Sequence, residues 1–461
     1  MLYSVYQASD DLMTPVRLFA DVALNMLQGP WESFSRHLTG RHAIATLEMI
    51  SRLRLSHHRP SYDLNSVTVG NEEVAASEEA ALVTPFGTLL HFKKDIEQTQ
   101  PRVLLVAPMS GHFATLLRHT AKVLLPEHDL YITDWHNARE ASLADGRFGF
   151  DEYVDHLILF LEKIGPAAHV IAVCQPCVQT LVAAAVMADE DHAAVPRSMT
   201  LMAGPIDTRI APTKVNELAK TKPIGWFEQN LISRVPWRYK GAGRRVYPGL
   251  RAAHGLHVHD MDRHVKAHRD LYDHLVAGDI DNASATKIFY DEYFAVLDLP
   301  AEFYLDTVQM IFQEHLLPRG ELMWHNRRVN PAAICKTALF TVEGERDDIC
   351  AVGQTVAATI SVRTCAPIAS VITCSLASGT MAYSAVGNGK RRSIRCCGTW
   401  CWRARRSVEA CSLGGWLPAT CRLALVTSAF GKRPKRLCDC YGREAEGPKL
   451  AVSGTAGLAA G

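Results

Sequence analysis

The feature that most constrains the fold of this chain is an alternation of short apolar runs with amphipathic helical patterns. One helical pattern, over 150–164, places seven apolar residues on one face and ends at Gly165. Apolar strands that alternate with such helices form mostly parallel sheets that are covered on both faces. We therefore predict an α/β fold with helices on both faces of a mostly parallel sheet, built on apolar runs at 103–107, 129–135, 169–173, 199–204 and 337–344.

Helical patterns also divide the chain into parts. Apolar residues at helical spacing between Val16 and Leu27 indicate a layer that packs on the main domain or, alternatively, a segment that attaches to an apolar surface. The long interruption before the last strand indicates a cap over the active site or, alternatively, a helical subdomain with no role in the chemistry. The predicted parts are an N-terminal helical region (1–80), a core (81–204 and 331–358) and a helical cap insertion (205–330).

Composition changes abruptly after residue 358. Residues 359–461 carry 15 Lys and Arg against 4 Asp and Glu, which leaves 34 basic and 44 acidic residues in 1–358. This last part also holds nine of the 13 cysteines and none of the 20 histidines. A zinc module is disfavoured because histidine and paired C-x₂-C spacing are missing, and a basic nucleic-acid tail is the other alternative. We predict instead an out-of-frame, disordered tail over 359–461, caused by a reading-frame error near Ala358.

The strongest candidate for a reactive side chain is Cys174. An apolar strand ends at Val173, and an apolar helix begins within two or three residues. A strand-to-helix turn can present a side chain above the sheet edge, and the helix N-terminus favours a thiolate. The backbone N–H of Gln175 would be one oxyanion donor. The motif Ala172–Pro176 has cysteine in place of serine and neither glycine of G-x-S-x-G, so a plain buried cysteine is the alternative.

Val173-Cys174-Gln175-Pro176 resembles the nucleophile motif of the intracellular polyhydroxyalkanoate (poly-3-hydroxybutyrate) depolymerases. This family has a cysteine nucleophile on an α/β-hydrolase core. Three further segments resemble the family in its order, so the resemblance spans residues 1–358. They are the loop Ala107-Pro108-Met109-Ser110-Gly111-His112, the pair Asp134-Trp135, and the acid-bearing loop over 341–349.

The resemblance implies roles for particular residues. Cys174 is the expected nucleophile, and an aspartate after the 337–343 strand is the expected triad acid. The spacing Gly-x-x-Asp favours Asp347, with Asp348 as the alternative. The other interpretation is that both aspartates belong to a solvated turn with no role in catalysis. Backbone amides of Met109 and Ser110 are expected to bind the oxyanion, unless they form an ordinary polar loop.

The expected triad histidine is absent from this chain. Hydrolases of this fold use the order nucleophile, acid, histidine, and no histidine follows Asp348. Reading the possible codons of Ser378–Val386 one frame over can spell Gly-His-Tyr-Gly-Val-Phe-Ser-Gly, which resembles the family's histidine motif. The same shift over Thr359–Arg363 can spell His-Asp-Leu-Cys. His112 is expected to be a loop histidine rather than the base, so very low activity is expected of the chain as written.

The implied function is intracellular hydrolysis of poly(3-hydroxybutyrate) to 3-hydroxybutyrate units through a cysteine acyl-enzyme. The resemblance implies no cofactor and no metal, and the expected partner is the polyester granule rather than nucleic acid. The first residues lack a signal-peptide pattern and no run of about 18 apolar residues predicts a membrane span, so we expect a cytoplasmic, granule-associated protein. The alternatives are an acyltransferase on the same fold, such as a polyester synthase or an enzyme of thiolysis to coenzyme A, and a non-catalytic granule-binding protein.

Overall fold

A nine-stranded sheet forms the centre of the computed structural model, which describes residues 2–28, 37–52, 54–251, 261–345, 347–362 and 374–376. The strands lie side by side in the order β1-β2-β3-β5-β4-β6-β7-β8-β9. Their bounds are β1 Ser66–Val69, β2 Glu72–Val83, β3 Gly87–Lys94, β4 Arg102–Val106, β5 Asp129–Trp135, β6 His169–Val173, β7 Ser198–Met202, β8 Ala338–Gly344 and β9 Cys374–Leu376.

The strands from β5 to β9 in this order pair in parallel, whereas β1, β2 and β3 pair antiparallel with their neighbours. Every residue of β6 and β7 is buried, as expected for strands that helices cover on both faces. Because the parallel strands are in register, their carboxyl ends share one edge of the sheet. The predicted α/β-hydrolase-like fold is thereby confirmed.

Helices of the core pack on this sheet. The predicted amphipathic helix is observed at Phe150–Ile164 and buries one face, including Tyr153 and Leu157. Its neighbour at Cys177–Asp189 is buried from Cys177 to Met187. The helices described between residues 2 and 189 are α1 Leu2–Gln28, α2 Leu38–Arg52, α3 Arg118–Leu124, α4 Phe150–Ile164 and α5 Cys177–Asp189. The 3₁₀ turns in this range are Ala114–Leu117, Ala138–Glu140 and Leu143–Asp145.

The structure differs from the predicted helical region 1–80, because β1 and most of β2 lie within it. The two strands form a hairpin at Gly70, whose φ is 64°. The β2 sequence is rich in Glu and Ala, which favour helix, so its local composition conceals a strand. Pairing with β3 overrides that preference, and β2 and β3 form a second hairpin around Pro85–Gly87.

The segment predicted as a helical cap is mostly helical. It also contains short strands at Ser233–Arg234, Arg245–Tyr247, Leu299–Pro300, Met323–Trp324 and Arg327–Arg328. Its helices are α6 Lys214–Lys220, α7 Ile224–Leu231, α8 Met261–Ala277, α9 Ile280–Tyr293, α10 Ala301–Asp306, the π-helix Thr307–Gln313 and α11 Leu316–Arg319, and a 3₁₀ turn at Pro331–Ala333 follows.

Part of the predicted tail carries regular structure. A short helix, α12, spans Ala358–Ser361, and β9 pairs in parallel with β8 through Val342↔Cys374 and Gly344↔Leu376. A strand can form here because its ladder uses backbone groups and places few demands on the side chains. Apart from Val362, the other residues of 359–461 lie outside the described part. No helix in the described ranges is long and apolar enough to cross a membrane.

Candidate active site

Cys174 occupies a tight turn between β6 and α5. Its φ is 69°, in the left-handed region that non-glycine residues seldom adopt. Its N–H donates to the Met202 carbonyl at 2.7 Å, and its own carbonyl accepts from the Cys177 N–H at 3.1 Å. A strained strand-to-helix turn of this kind presents a nucleophile at the top of an α/β-hydrolase sheet. The side chain of Cys174 is half-buried.

The close packing that this turn requires involves a glycine outside the motif. A Cβ atom on Gly204, just after β7, would lie 2.2 Å from Cys177 Cβ and 2.6 Å from Cys177 Sγ. Gly204 is fixed by Thr355, whose hydroxyl accepts from the Gly204 N–H at 2.8 Å and donates to its carbonyl at 3.0 Å. A glycine just after the neighbouring strand β7 therefore allows the close packing that the missing glycines of the motif would otherwise allow. A glycine directly after an apolar strand was the sequence signal for it.

The environment of the thiol opposes its ionisation. Burial raises the pKa of Cys174 to about 11, the backbone N–H of Gln175 lowers it, and the charge of Asp347 raises it. The favourable effect expected from the helix N-terminus is thus outweighed by desolvation. A thiol in this state needs a base to become a nucleophile.

The two candidate acids differ sharply in environment. Asp347 follows β8 and is buried, whereas Asp348 is exposed. The Asp347 carboxylate accepts at Oδ1 from the N–H groups of Ile349 at 2.9 Å and Cys350 at 2.8 Å. Of the two, Asp347 is also the one whose charge acts on the Cys174 thiol.

Glu343 organises the acid loop, a role that its place in the sequence motif does not predict. It is fully buried near the end of β8, and its carboxylate accepts from the N–H groups of Gly353 at 2.8 Å, Thr355 at 2.7 Å and Val356 at 3.0 Å. Three such bonds hold the segment that carries Thr355 against Gly204. A single carboxylate within an apolar strand was the available signal.

The predicted oxyanion loop begins at the carboxyl end of β4, beside β6. Its first residue is held on both sides: the Ala107 N–H donates to Thr133 Oγ1 at 2.9 Å, and the Ala107 carbonyl accepts from Trp135 Nε1 at 3.0 Å. Met109 is buried and Ser110 is exposed. Because β4 and β6 are parallel neighbours, this loop and Cys174 lie at the same edge of the sheet.

The cap is attached to this loop through its backbone. The Leu297 N–H donates to the Gly111 carbonyl at 2.9 Å, and His112 Nε2 donates to the Tyr293 carbonyl at 3.1 Å. Burial lowers the pKa of His112 to about 4, so the ring is neutral at pH 7. This environment agrees with a loop histidine that joins the cap to the core. The N-terminal segment joins the same place, since the Val296 N–H donates to the Ser56 carbonyl at 2.7 Å.

One buried amide at the site lacks partners. Gln175 is 8% exposed, and neither Nε2 nor Oε1 of its side chain makes a hydrogen bond with the described residues. The segment Ser378–Val386, considered for the histidine, lies outside the described residues. Within the described ranges, no group of three His, Cys, Asp or Glu side chains is placed to hold a metal ion.

Comparisons with known proteins give a family match and several distant structural similarities. No curated protein matches the chain. Among solved structures, the chain is similar to 2-hydroxy-6-oxo-6-phenylhexa-2,4-dienoate hydrolase from Rhodococcus sp. strain RHA1, with 9% identity, 72% of this chain and 99% of that chain covered, and a TM-score of 0.37. The naproxen esterase from Bacillus subtilis has 10% identity to the chain, with 77% of this chain and 96% of that chain covered and a TM-score of 0.34. The meta-cleavage product hydrolase from Pseudomonas fluorescens IP01 has 11% identity, with 74% of this chain and 97% of that chain covered and a TM-score of 0.38.

The family model for the PHB de-polymerase C-terminus matches residues 203–394. This range begins at the end of β7, contains the cap, β8 and the acid loop, and extends past Ala358. The chain is therefore similar to the PHB de-polymerase C-terminus family over residues 203–394.

Proposed function

We propose that this chain is a form of an enzyme that hydrolyses poly(3-hydroxybutyrate) through an acyl-enzyme on Cys174. One observation carries the proposal: Cys174 lies in a left-handed turn between β6 and α5, where the charge of Asp347 reaches its sulfur. The family match of residues 203–394 supports the polyester as substrate. The proposed sites are Cys174 as nucleophile and Asp347 as acid, with the amides of Gln175, Met109 and Ser110 as oxyanion donors.

The proposed chemistry begins with proton removal from Cys174 by a histidine that Asp347 orients. The thiolate attacks the ester carbonyl carbon, and the backbone amides stabilise the oxyanion. Protonation of the leaving alkoxide releases the shortened polymer and leaves a thioester. Water then attacks the thioester and frees the carboxylic acid. With a pKa of about 11, the thiol cannot supply enough thiolate near pH 7 without the base.

The test compares release of 3-hydroxybutyrate from polymer particles by the chain with its reading frame restored after Ala358 and by the same restored chain carrying Cys174→Ala. We expect Cys174→Ala to abolish release and Cys335→Ala, at a half-buried cysteine outside the site, to leave it unchanged. Full activity of Cys174→Ala would exclude the acyl-enzyme. Added coenzyme A separates the alternative acyl transfer, because a transferase would give 3-hydroxybutyryl thioester instead of free acid.

We propose that the missing histidine reflects a reading-frame error near Ala358. The lack of histidine over 359–461 and the two shifted readings in family order support it. Resequencing the codons for Val352–Gly389 is the test: an added or missing base supports the frameshift, and an unchanged sequence rules it out. In the second case the tail is genuine, and Cys174 belongs to a pseudoenzyme or works with another base.

A second candidate function, binding to polyester granules without catalysis, is favoured by the outer face of α1. The helix packs through a face that buries Tyr3, Arg17, Ala20 and Leu24. Its opposite face exposes an uncharged apolar row, the α1 stripe, between 45% and 76% exposed. Exposed apolar rows mark interaction surfaces, and an uncharged one suits a neutral, apolar polyester. The stripe consists of Val5, Leu12, Val16, Phe19, Val22 and Met26.

Sedimentation of the chain with amorphous poly(3-hydroxybutyrate) particles tests this surface. We expect Leu12→Ser combined with Phe19→Ser to release the chain from the particles. Leu218→Ser removes an equally exposed leucine, at 65%, outside the stripe and should leave sedimentation unchanged. Equal sedimentation of all three proteins would contradict a docking role of the α1 stripe.

A further inference from the structure

A polar cavity of about 280 Å³ lies beneath α1, away from the proposed active site. It is bounded by the inner face of α1, the segment 54–58, Arg139 and Tyr239, and none of the proposed active-site residues lines it. We call it the α1 cavity. Its volume is close to the lower end for small-molecule sites, so it suits a ligand of few heavy atoms.

The cavity walls carry three arginines and two aspartates, an excess of one positive charge. Arg17 and Asp10 compensate each other, since their Nη2 and Oδ1 atoms are 2.7 Å apart. Arg54 is exposed and makes no side-chain hydrogen bond or ion pair with the described residues. Asp21 supplies the remaining negative charge. The lining residues thus carry at most one positive charge in excess, and Glu140 beside Arg139 reduces it, so a monoanion is favoured over a dianion such as phosphate.

Arg139 offers a second cation with spare donor capacity. It is 5% exposed, and its guanidinium stacks 4.4 Å from the centre of the Tyr239 ring. Its Nε is 3.4 Å from Glu140 Oε1, yet this buried atom makes no hydrogen bond within the described ranges. A buried donor without an acceptor is costly, so an anionic oxygen would be stabilised beside it.

His57 adds a neutral polar group to the same wall. Its Nε2 lies 3.2 Å from the Tyr6 hydroxyl, and its buried Nδ1 has no hydrogen-bond partner in the described part of the chain. Burial, followed by the charge of Arg139, lowers the pKa of His57 to about 3, so the ring is uncharged at pH 7. An uncharged imidazole nitrogen suits a hydroxyl group better than a second carboxylate.

We propose that the α1 cavity binds a small hydroxy acid as its carboxylate, with Arg54 and Arg139 at the carboxylate and His57 at the hydroxyl group. Monomeric 3-hydroxybutyrate belongs to this class and is the probe. The binding itself requires no hydrolysis, so it stands or falls separately from the proposed function.

Titration calorimetry on the full chain carrying Cys174→Ala tests the proposal without turnover. We expect 3-hydroxybutyrate to bind at one site, butyrate to bind roughly 5- to 10-fold more weakly for want of one neutral hydrogen bond, and 1,3-butanediol not to bind. Arg54→Gln removes a charged donor and should weaken 3-hydroxybutyrate at least about tenfold. Arg269→Gln, the same change at an exposed position on α8, should leave binding unchanged.

Three results would overturn the proposal. The first is an absence of binding by 3-hydroxybutyrate. The second is equal affinity in the parent and in Arg54→Gln, which would place the ligand elsewhere, the active site included. The third is inorganic phosphate binding as tightly as the hydroxy acid, which would reveal a general anion site.

Discussion

Cys174 combines a strained backbone with a thiol that resists ionisation. The positive φ fixes where its sulfur points, while burial and the Asp347 carboxylate both raise its pKa. The raised pKa stabilises the folded state fully below pH 9.0, the ordinary value for the thiol, and this contribution is lost as the pH rises towards about 11. Without a base, the Cys174 thiol therefore stays protonated and unreactive at neutral pH.

Replacing Asp347 by asparagine should make the Cys174 thiol more acidic. Asn keeps an oxygen that can accept from the Ile349 and Cys350 N–H groups but removes the negative charge that raises the thiol pKa. Between pH 7 and pH 10, iodoacetamide should alkylate Cys174 faster in Asp347→Asn than in the parent at each pH, as followed by tandem mass spectrometry. Asp348→Asn at the exposed neighbour should change little. Equal rates in all three would place Asp347 too far from the sulfur to act.

Gln175 should show a conflict between stability and activity. Its buried, unpartnered amide costs stability, so Gln175→Met should raise the free energy of unfolding in urea by about 1 kcal/mol. We expect the amide to contact substrate, so turnover, measured in the chain with its reading frame restored, should fall in the same variant. Gln179→Met is the matched control, since that side chain is fully buried and equally unpartnered among the described residues but lies one turn further into α5. It should gain stability with turnover unchanged, and a loss of stability in Gln175→Met would mean that the amide is satisfied.

At the scale of single residues, the sequence predicts where the candidate site residues lie in the chain better than it predicts their burial or pKa. Cys174 at a strand end, and the spacing that favours Asp347, could both be predicted from local pattern. The contrast between buried Asp347 and exposed Asp348 could not, because it depends on contacts made by residues far apart in sequence. The same reason explains why the thiol pKa is raised although the helix N-terminus alone would lower it.

At the scale of elements, the turn between β6 and α5 depends on its neighbour β7. Gly204→Ala would bring a Cβ to 2.2 Å from Cys177 Cβ, so the strand end or the helix start must shift. We expect a loss of roughly 1–3 kcal/mol in the free energy of unfolding, with reduced alkylation of Cys174 as the turn is displaced. A Cβ atom on Gly225, in α7, would meet no atom within 4 Å, so Gly225→Ala should instead raise the free energy of unfolding by up to about 1 kcal/mol. An unchanged free energy of unfolding in Gly204→Ala would contradict the close approach of Gly204 and Cys177.

Elements with strong periodicity were predicted well, and those set by pairing were not. The helix α4 occupies the predicted residues because its apolar face repeats every three to four positions. The hairpin of β1 and β2 could not be predicted, since β2 is rich in Glu and Ala and therefore has a helix-like composition. Only the ladder with β3 reveals its conformation.

At the scale of the whole molecule, the proposed function depends on the reading frame after Ala358. Restoring the shifted frame should supply the histidine and raise release of 3-hydroxybutyrate by on the order of 10⁴–10⁶ over the chain as written. The measurement is turnover on polymer particles by both proteins, with Cys174→Ala in the restored frame as the control. No gain in the restored protein would contradict both the frameshift and the triad assignment.

The alternation of strands and helices was sufficient to predict the layers and the sheet. It could not predict which face of α1 points outward, because an amphipathic helix has the same sequence pattern whether its apolar face is buried or exposed. The described structure buries the opposite face instead. The match of residues 203–394 reaches into the segment predicted to be out of frame, so the sequencing test also bears on that part of the family match.

The bond from the Leu297 N–H to the Gly111 carbonyl has a consequence for synthesis on the ribosome. The two residues are 186 positions apart in the chain, from 111 to 297. At about 5–20 residues per second, roughly 10–40 s separate the emergence of the two partners. Once residue 174 has emerged, the nascent chain holds both Cys174 and β4 but still lacks the Leu297 backbone that fixes the loop after β4. Ribosome pausing before residue 297 would lengthen this exposed stage, and slow or rare codons over the cap would act on folding yield rather than on the chemistry of the finished protein.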